Sequence, residues 1–424
     1  MSRISTGWIL LLGVVAGACS SEGTPGDTLG GSSGTGGGTS TSGSTSVSSS
    51  GGLVSTSGSP GTAGAVSTTG GAGSSSVAGG GSPNGGGGVG GSSSGSGGGV
   101  QVADPGTEGD GKLTVTNMAK QMELNDLKNP KGQEFTFKLT SKSYMYTEPT
   151  IAAGSPKNQP RNVWVYVPNQ YKDGTEAPLM IIQDGQQGSG SGGRYGSIKL
   201  ALDNMTIATD PARKIPAFVA IAVQDGGGDG PNNERGLEYD TISERYGLFI
   251  QNEVIPAVKQ LTELKAAFPN FKLTDNPEGK ATFGCSSGGA AALTMAWFHP
   301  ELFRRVVTYS GTFVALQNGK LPEAAMYPSG AWGYHHDQNL IAMAEKKPLR
   351  IFNNANEKDN GATSDESGKR NWLIANEATH TALTAKGYHN RYVYGAGVGH
   401  CDDNLLRATL ADTLAWVWRG YPAN

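Results

Sequence analysis

A mostly parallel α/β sheet with helices on both faces is the fold class this sequence predicts, on three observations. From Lys112 to the C-terminus, short β-branched runs alternate with amphipathic helical stretches. The first two strand runs come in series, as an antiparallel start would, and the later ones alternate with helices, which requires parallel crossovers on both faces. A sharp change of composition confines this pattern to residues 112–424, long enough for one sizeable core.

Taken in chain order, the N-terminus reads as an address. Arg3 supplies positive charge, and Trp8 to Ala16 is an apolar run too short for a permanent membrane span. Gly17-Ala18-Cys19 follows, and small residues ending in Cys resemble a bacterial lipobox, in which Cys19 carries lipid and becomes the mature N-terminus. Ala16 stands where such signals usually carry Leu, so cleavage elsewhere and free secretion is the alternative. Ser20 in place of Asp implies sorting of a lipoprotein to an outer membrane. Residues 20–111 then read as a spacer. Between 21 and 110 there are 32 glycines, no Lys or Arg and no aromatic residue, so the stretch cannot bury enough surface to offset its chain entropy. Its mean span is roughly 50 Å, that of a tether.

The folded part carries 32 basic and 31 acidic residues, a balance that argues against nucleic-acid binding. Strands are expected over Glu134–Leu139, Asn162–Val167, Leu179–Ile182, Ala217–Val223, Ala281–Phe283, Arg305–Tyr309, Leu349–Phe352 and Arg391–Tyr394. Helices are expected over Thr241–Phe268, Gly289–Trp297, Asn371–Lys386 and Leu405–Trp418, the first kinked or split at Pro256. Neither CxxC nor His-rich spacing suggests a metal, and no cofactor is expected.

Gly284-Cys285-Ser286-Ser287-Gly288 matches G-x-S-x-G. In a Gly/Ser-rich chain the pattern alone is weak, and the spacer holds two accidental copies, at Gly30–Gly34 and Gly91–Gly95. Context separates the match at 284: an apolar strand precedes it and a helix follows, so a sharp turn exposes the Ser286 hydroxyl. A serine nucleophile needs a base. His400 follows the final strand and precedes the last helix, whereas His299 reads as structural and His380 and His389 lie at a helix end. His335 and His336 fall on an irregular loop, lining a pocket or simply solvated. The imidazole in turn needs an acid, expected in the loop after Leu349–Phe352, where Asp359 is the first choice and Glu357 the second. The order Ser286, Asp359, His400 is that of the α/β-hydrolase fold. Backbone donors for an oxyanion are expected at Ser287, which opens the helix, and at Gln186 in the turn after Leu179–Ile182.

From about Arg161 onward the chain resembles the esterase D / enterochelin esterase-like family of α/β hydrolases, which also holds feruloyl and acetylxylan esterases and mycolyltransferases. The residues that carry the resemblance are Leu179-Met-Ile-Ile-Gln-Asp-Gly185, Gly236-Leu-Glu-Tyr-Asp240, Gly284-Cys-Ser-Ser-Gly-Gly289, His299-Pro-Glu-Leu-Phe-Arg304 and Leu414-Ala-Trp-Val-Trp418. It implies Asp359 as the acid, although Asn356-Glu-Lys-Asp359 keeps only the Asp of the family's G-x-N-D, and it implies Gln186 as an oxyanion donor. A second resemblance is to the tannase / fungal feruloyl esterase family, where cysteines beside the nucleophile and the base form a disulfide. Cys285 precedes Ser286 and Cys401 follows His400 in the same way. The meeting of Ser286 and His400 would bring the two cysteines within bonding reach; two buried free thiols are the alternative.

These readings imply an exported serine esterase held to a membrane only through its lipid, acting on a small-molecule or polysaccharide-linked ester of the feruloyl, acetyl or tannin type. Siderophore esters, acyl transfer to sugars and an inactive surface binding module are the alternatives. Asp225–Asp229 is a candidate substrate loop, lined by Arg235, Glu238 and Tyr239 unless these form surface salt bridges. Trp332-Gly-Tyr334 either stacks on a substrate ring or packs under a loop.

Overall fold

The computed structural model describes residues 106–142, 159–186, 194–227, 233–316, 325–365 and 367–423. The expected leader with Cys19, nearly all of the spacer and the end of the Asp225–Asp229 loop lie outside the described residues.

Among the described residues, nine strands form one sheet: β1 (Gly111–Val115), β2 (Gln133–Leu139), β3 (Arg161–Val167), β5 (Leu179–Ile182), β6 (Val219–Val223), β8 (Lys280–Cys285), β9 (Arg305–Tyr309), β10 (Arg350–Lys358) and β11 (His389–Gly399). Their order is β1-β11-β10-β9-β8-β5-β6-β3-β2. Only the β2–β3 and β3–β6 pairings are antiparallel; the rest are parallel. Two short strands, β4 (Glu176–Ala177) and β7 (Lys272–Leu273), pair separately. The sequence thus predicts the α/β-hydrolase sheet correctly, with the antiparallel start at one side.

The central strands β5, β6, β8 and β9 are buried along their whole length and read mostly apolar, because both faces are covered there. Along β5, Leu179 and Ile181 join the core under helix α6 (Ser287–Phe298), while Met180 and Ile182 join the opposite core. That second core is roofed by α1 (Arg194–Met205) and by the last helix, Asp403–Val417.

Several elements differ from expectation for local reasons. The fold begins before Lys112, because Asp110 accepts from Trp416 Nε1 at 3.2 Å and meets His389 Nδ1 at 2.9 Å. β1 then adds to the edge beside β11, and its three central residues are exposed, so no buried pattern marks it. α1 is absent from the sequence reading because it follows a Gly/Ser run and opens Arg-Tyr-Gly-Ser. The long helix predicted from Thr241 divides into α3 (Arg245–Phe249), a π-helical stretch (Ile250–Val254), α4 (Ile255–Gln260) and α5 (Thr262–Ala267). Pro256 has no N–H for the α-helical ladder, and the wide turn just before it and the extended Leu261 after it make the split.

Helix α2 (Glu234–Asp240) is fixed by charge inside the protein. Arg161, at the start of β3, donates to Glu238 at 2.7 Å and to Glu234 at 3.0 Å, and all three side chains are buried. Arg235, Glu238 and Tyr239, expected either to line the Asp225–Asp229 loop or to form surface salt bridges, are all buried, which corrects the surface alternative. Burial raises the Glu238 carboxyl above its ordinary value and the Arg161 guanidinium beside it opposes that rise, so each group depends on a partner within hydrogen-bond distance. Removing one partner strands the others. Arg161→Met should therefore lower unfolding free energy by about 3–5 kcal/mol in urea titration, and adding Glu234→Gln and Glu238→Gln should recover part of it. A single variant as stable as the parent would show that the network contributes nothing.

Candidate active site

Ser286 sits in the turn between β8 and α6 with φ 57° and ψ −131°, a strained backbone that holds its side chain clear of both elements. The flanking glycines are required by space. A Cβ on Gly284 would lie 2.1 Å from the Gly288 carbonyl oxygen, and one on Gly288 would lie 2.8 Å from Asp184 Oδ2. The Ser286 N–H donates to the Tyr309 carbonyl at 3.0 Å and its carbonyl accepts from the Thr312 N–H at 2.9 Å, which pins the turn to the end of β9.

His400 approaches from the loop after β11. Its Nε2 lies 2.9 Å from Ser286 Oγ, and its Nδ1 lies 2.6 Å from Asp359 Oδ1. An ionised carboxylate only accepts, so Nδ1 carries the proton and Nε2 is left to receive the one on Ser286. Asp359 is buried and held on every side: Ser310 Oγ donates to Oδ2 at 2.8 Å, the Asn356 N–H to Oδ2 at 3.1 Å, and the Asn360 N–H to Oδ1 at 2.9 Å. The other acid candidate, Glu357, points elsewhere and accepts from the Gly397 N–H at 2.6 Å. β10 runs on through Lys358, past the expected end at Phe352. Asn353, Asn354 and Asn356 read as loop residues, but they are buried and their amides are bonded within the fold, Asn354 Nδ2 to the Val393 carbonyl at 2.9 Å among others.

Sequence reasoning missed the turn Ser310-Gly311-Thr312. Ser310 is fully buried with φ 43°, and its Oγ accepts from the Cys401 N–H at 3.1 Å and from Asn356 Nδ2 at 3.3 Å while donating to Asp359. One hydroxyl thus joins the acid to the residue after the base. The only sequence sign was Ser-Gly-Thr directly after a predicted strand.

Cys285 and Cys401 form a disulfide with Cα atoms 6.1 Å apart, bracketing the pair Ser286 and His400.

Ser287 opens α6, where the first N–H groups have no acceptor one turn back in the helix. The N-terminus of α6 packs directly on the turn carrying Gln186, since a Cβ on Gly288 would also lie 3.1 Å from Gln183 Cβ. That turn is braced from below. Asp184, with φ 56°, accepts from Arg235 Nε at 2.7 Å and from an Arg235 terminal nitrogen at 2.9 Å, and its N–H donates to Tyr239 Oη at 3.3 Å. Gln186 Nε2 donates to Asp225 Oδ2. Burial, with the negative charge of Asp184 nearby, pushes the Asp225 carboxyl up to about 6. So Arg235 and Tyr239 support this turn from inside the protein.

The remaining histidines stand apart from the triad. His299 pairs with Glu301 at 2.8 Å, and His380 lies 2.6 Å from Asn390 Nδ2. His335 is half-buried, with Nε2 3.0 Å from the Phe313 carbonyl, and burial pushes it down to about 4; His336 is exposed. Trp332 and Tyr334 are buried, which leaves the packed reading. Among the described residues no group of His, Cys, Asp and Glu could hold a metal ion.

The disulfide closes a separation of 116 residues, for which chain entropy gives about 4–5 kcal/mol. Strain at the nucleophile turn offsets part of this. Replacing both cysteines with Ala should cost about 2–4 kcal/mol in denaturant titration and should lower kcat at temperatures where the variant stays folded. Peptide mass spectrometry without reductant should find one linked peptide; two alkylatable thiols would reject the bond.

The Esterase family model matches residues 155–416. An iron(III) enterobactin esterase of Dickeya dadantii (strain 3937) is 26% identical over 279 residues, covering 61% of this chain and 52% of that protein. The chain therefore spans about half the length of the curated relative it matches. Among solved structures, a ferulic acid esterase aligns with a TM-score of 0.48 at 16% identity over 69% of this chain and 99% of its own. Another, from the anaerobic fungus Anaeromyces mucronatus, aligns with a TM-score of 0.47 at 12% identity over 73% and 99%. The family match covers well over half of the sequence, and the chain belongs to the Esterase family, the esterase D and enterochelin esterase-like group of α/β hydrolases.

Proposed function

We propose that the protein is an exported, lipid-anchored serine esterase that works through an acyl-enzyme. The observation that carries the catalytic part is the line of contacts Asp359–His400–Ser286 at 2.6 and 2.9 Å beside a helix N-terminus. In this reading Ser286 Oγ attacks the ester carbon and its proton passes to His400 Nε2, while Asp359 stabilises the imidazolium. The Ser287 and Gln186 N–H groups meet the oxyanion. The alcohol leaves with the proton from His400, and water repeats the sequence to release the acid.

The substrates proposed are aromatic and plant-polymer esters of the feruloyl, acetyl or tannin type. A second reading, a siderophore ester, is favoured by the sequence likeness to the Dickeya dadantii protein. Anchoring through Cys19 rests on the small residues before it and the long spacer after it.

A hydrolysis panel on the full-length protein separates the two substrate readings: methyl ferulate, an alkyl gallate, acetylated xylan and a catecholate siderophore ester, with p-nitrophenyl acetate as the general probe. Turnover of the siderophore ester alone would favour the second reading. Ser286→Ala should reduce turnover to well below a hundredth without changing circular dichroism, and Asp359→Asn should cost far more than Glu357→Gln. Activity retained in Ser286→Ala would remove the serine from the mechanism. In cell fractionation the wild type should sediment with outer membranes and Cys19→Ala should be released or left unprocessed; a wild type wholly soluble in the periplasm would rule out the anchor.

A further inference from the structure

Thr312 is buried beside the nucleophile, and its hydroxyl oxygen has three polar neighbours. Trp372 Nε1 lies 3.1 Å away, Ser287 Oγ 3.5 Å and Ser286 Oγ 3.3 Å. The direction of each bond follows from the donor inventory. An indole N–H only donates, so Thr312 Oγ1 accepts from Trp372. The Ser287 hydroxyl, at the limit of bonding distance, donates to the second lone pair. The Ser286 proton is committed to His400 Nε2, which has no hydrogen of its own. One hydrogen remains, on Thr312, and one acceptor remains, Ser286 Oγ.

Resting on the serine-esterase reading above, we propose that Thr312 is a further catalytic residue whose hydroxyl donates a hydrogen bond to Ser286 Oγ, and that Trp372 is the positioning residue that aims it. In acylation the Ser286 O–H bond breaks toward His400 Nε2 as Oγ bonds to the ester carbon and the C=O π pair moves to the carbonyl oxygen, while the Thr312 hydrogen bond steadies the negative charge on Oγ as its proton departs. The π pair then returns, the ester C–O bond breaks and the alcohol leaves with the proton from His400. In deacylation water adds to the acyl carbon, giving a proton to His400. The C–Oγ bond then breaks, its electron pair returns to Oγ, and His400 delivers the proton there. Thr312 meets the same oxygen in both steps and transfers no proton itself.

Trp372 is built into place from three sides. Its backbone N–H donates to the Asn360 carbonyl at 2.9 Å, next to the acid. Buried Asn376 donates from Nδ2 to the Trp372 carbonyl and to the Gly311 carbonyl, each at 2.8 Å, tying the start of the helix Trp372–Ala385 to the Thr312 turn. Its indole also packs edge-to-face on the His400 ring, with centroids 5.8 Å apart. A single aromatic side chain thus touches the base and orients the hydroxyl beside the nucleophile.

The test uses the full-length protein, p-nitrophenyl acetate and four variants. Thr312→Val removes the hydroxyl at nearly constant shape and should lower kcat about tenfold or more, with KM changed by less than about twofold. Thr312→Ser should restore most of the loss. Trp372→Phe keeps an aromatic ring on His400 but removes the N–H; it should lower kcat about threefold or more with KM again steady, and it decides the matter if Thr312→Val does not fold. Ser286→Ala is the control that tells the two failures apart. If it stays active, the serine reading itself is wrong. If it is inactive while a folded Thr312→Val keeps kcat within about twofold, or while Trp372→Phe keeps kcat when Thr312→Val cannot be made, the role of Thr312 is overturned and the triad stands.

Discussion

The site depends on one buried hydroxyl. Ser310 Oγ, at the end of β9, donates to Asp359 and accepts from the Cys401 backbone and the Asn356 amide. Its neighbours along the chain hold the nucleophile, through the Tyr309 carbonyl and the Thr312 N–H. β9 lies between β8 and β10 in the sheet, and β11 follows β10. The end of one central strand therefore sets the relative positions of the loops that carry Ser286, Asp359 and His400, which are far apart in sequence. Ser310 adopts φ 43° to do so, a conformation that L side chains take only when surrounding bonds demand it. The disulfide adds a covalent limit where hydrogen bonds alone would let two loops drift.

A second framework supports the turn that carries Gln186. Arg161 fixes α2 through two carboxylates, and Arg235 on α2 grips Asp184 with two hydrogen bonds. The turn that carries Gln186 is thus gripped by an ion pair as well as by backbone bonds to the Val223 and Phe283 carbonyls. In a buried setting such pairs contribute little net stability, but their geometry is strict, because each missing bond leaves a charge without compensation. That suits the backbone donor proposed at Gln186, whose value would lie in pointing one way before substrate arrives.

The sheet and the triad were legible because they leave spacing signals. Strand runs buried on both faces stay apolar, and a serine between a strand and a helix, an acid after the penultimate strand and a histidine after the last one follow a fixed order. What stayed hidden has no such signal. Ser310 and Thr312 are a serine and a threonine in a chain rich in both. β1 lies at an edge and exposes its centre, so it shows no buried alternation. The asparagines of β10 look like a loop until their amide nitrogens are seen to donate inside the fold. Arg235 and Glu238 look like surface charges because sequence alone does not reveal that Asp184 and Arg161 wait for them.

The proposed triad would make Ser286 the one activated serine of a serine-rich protein. Treating the full-length protein with a fluorophosphonate ester and mapping the adduct by peptide mass spectrometry should find a single phosphonyl group, on the peptide containing Ser286, with esterase activity lost in proportion to labelling. Labelling confined to another serine, or loss of activity with Ser286 unmodified, would contradict that role.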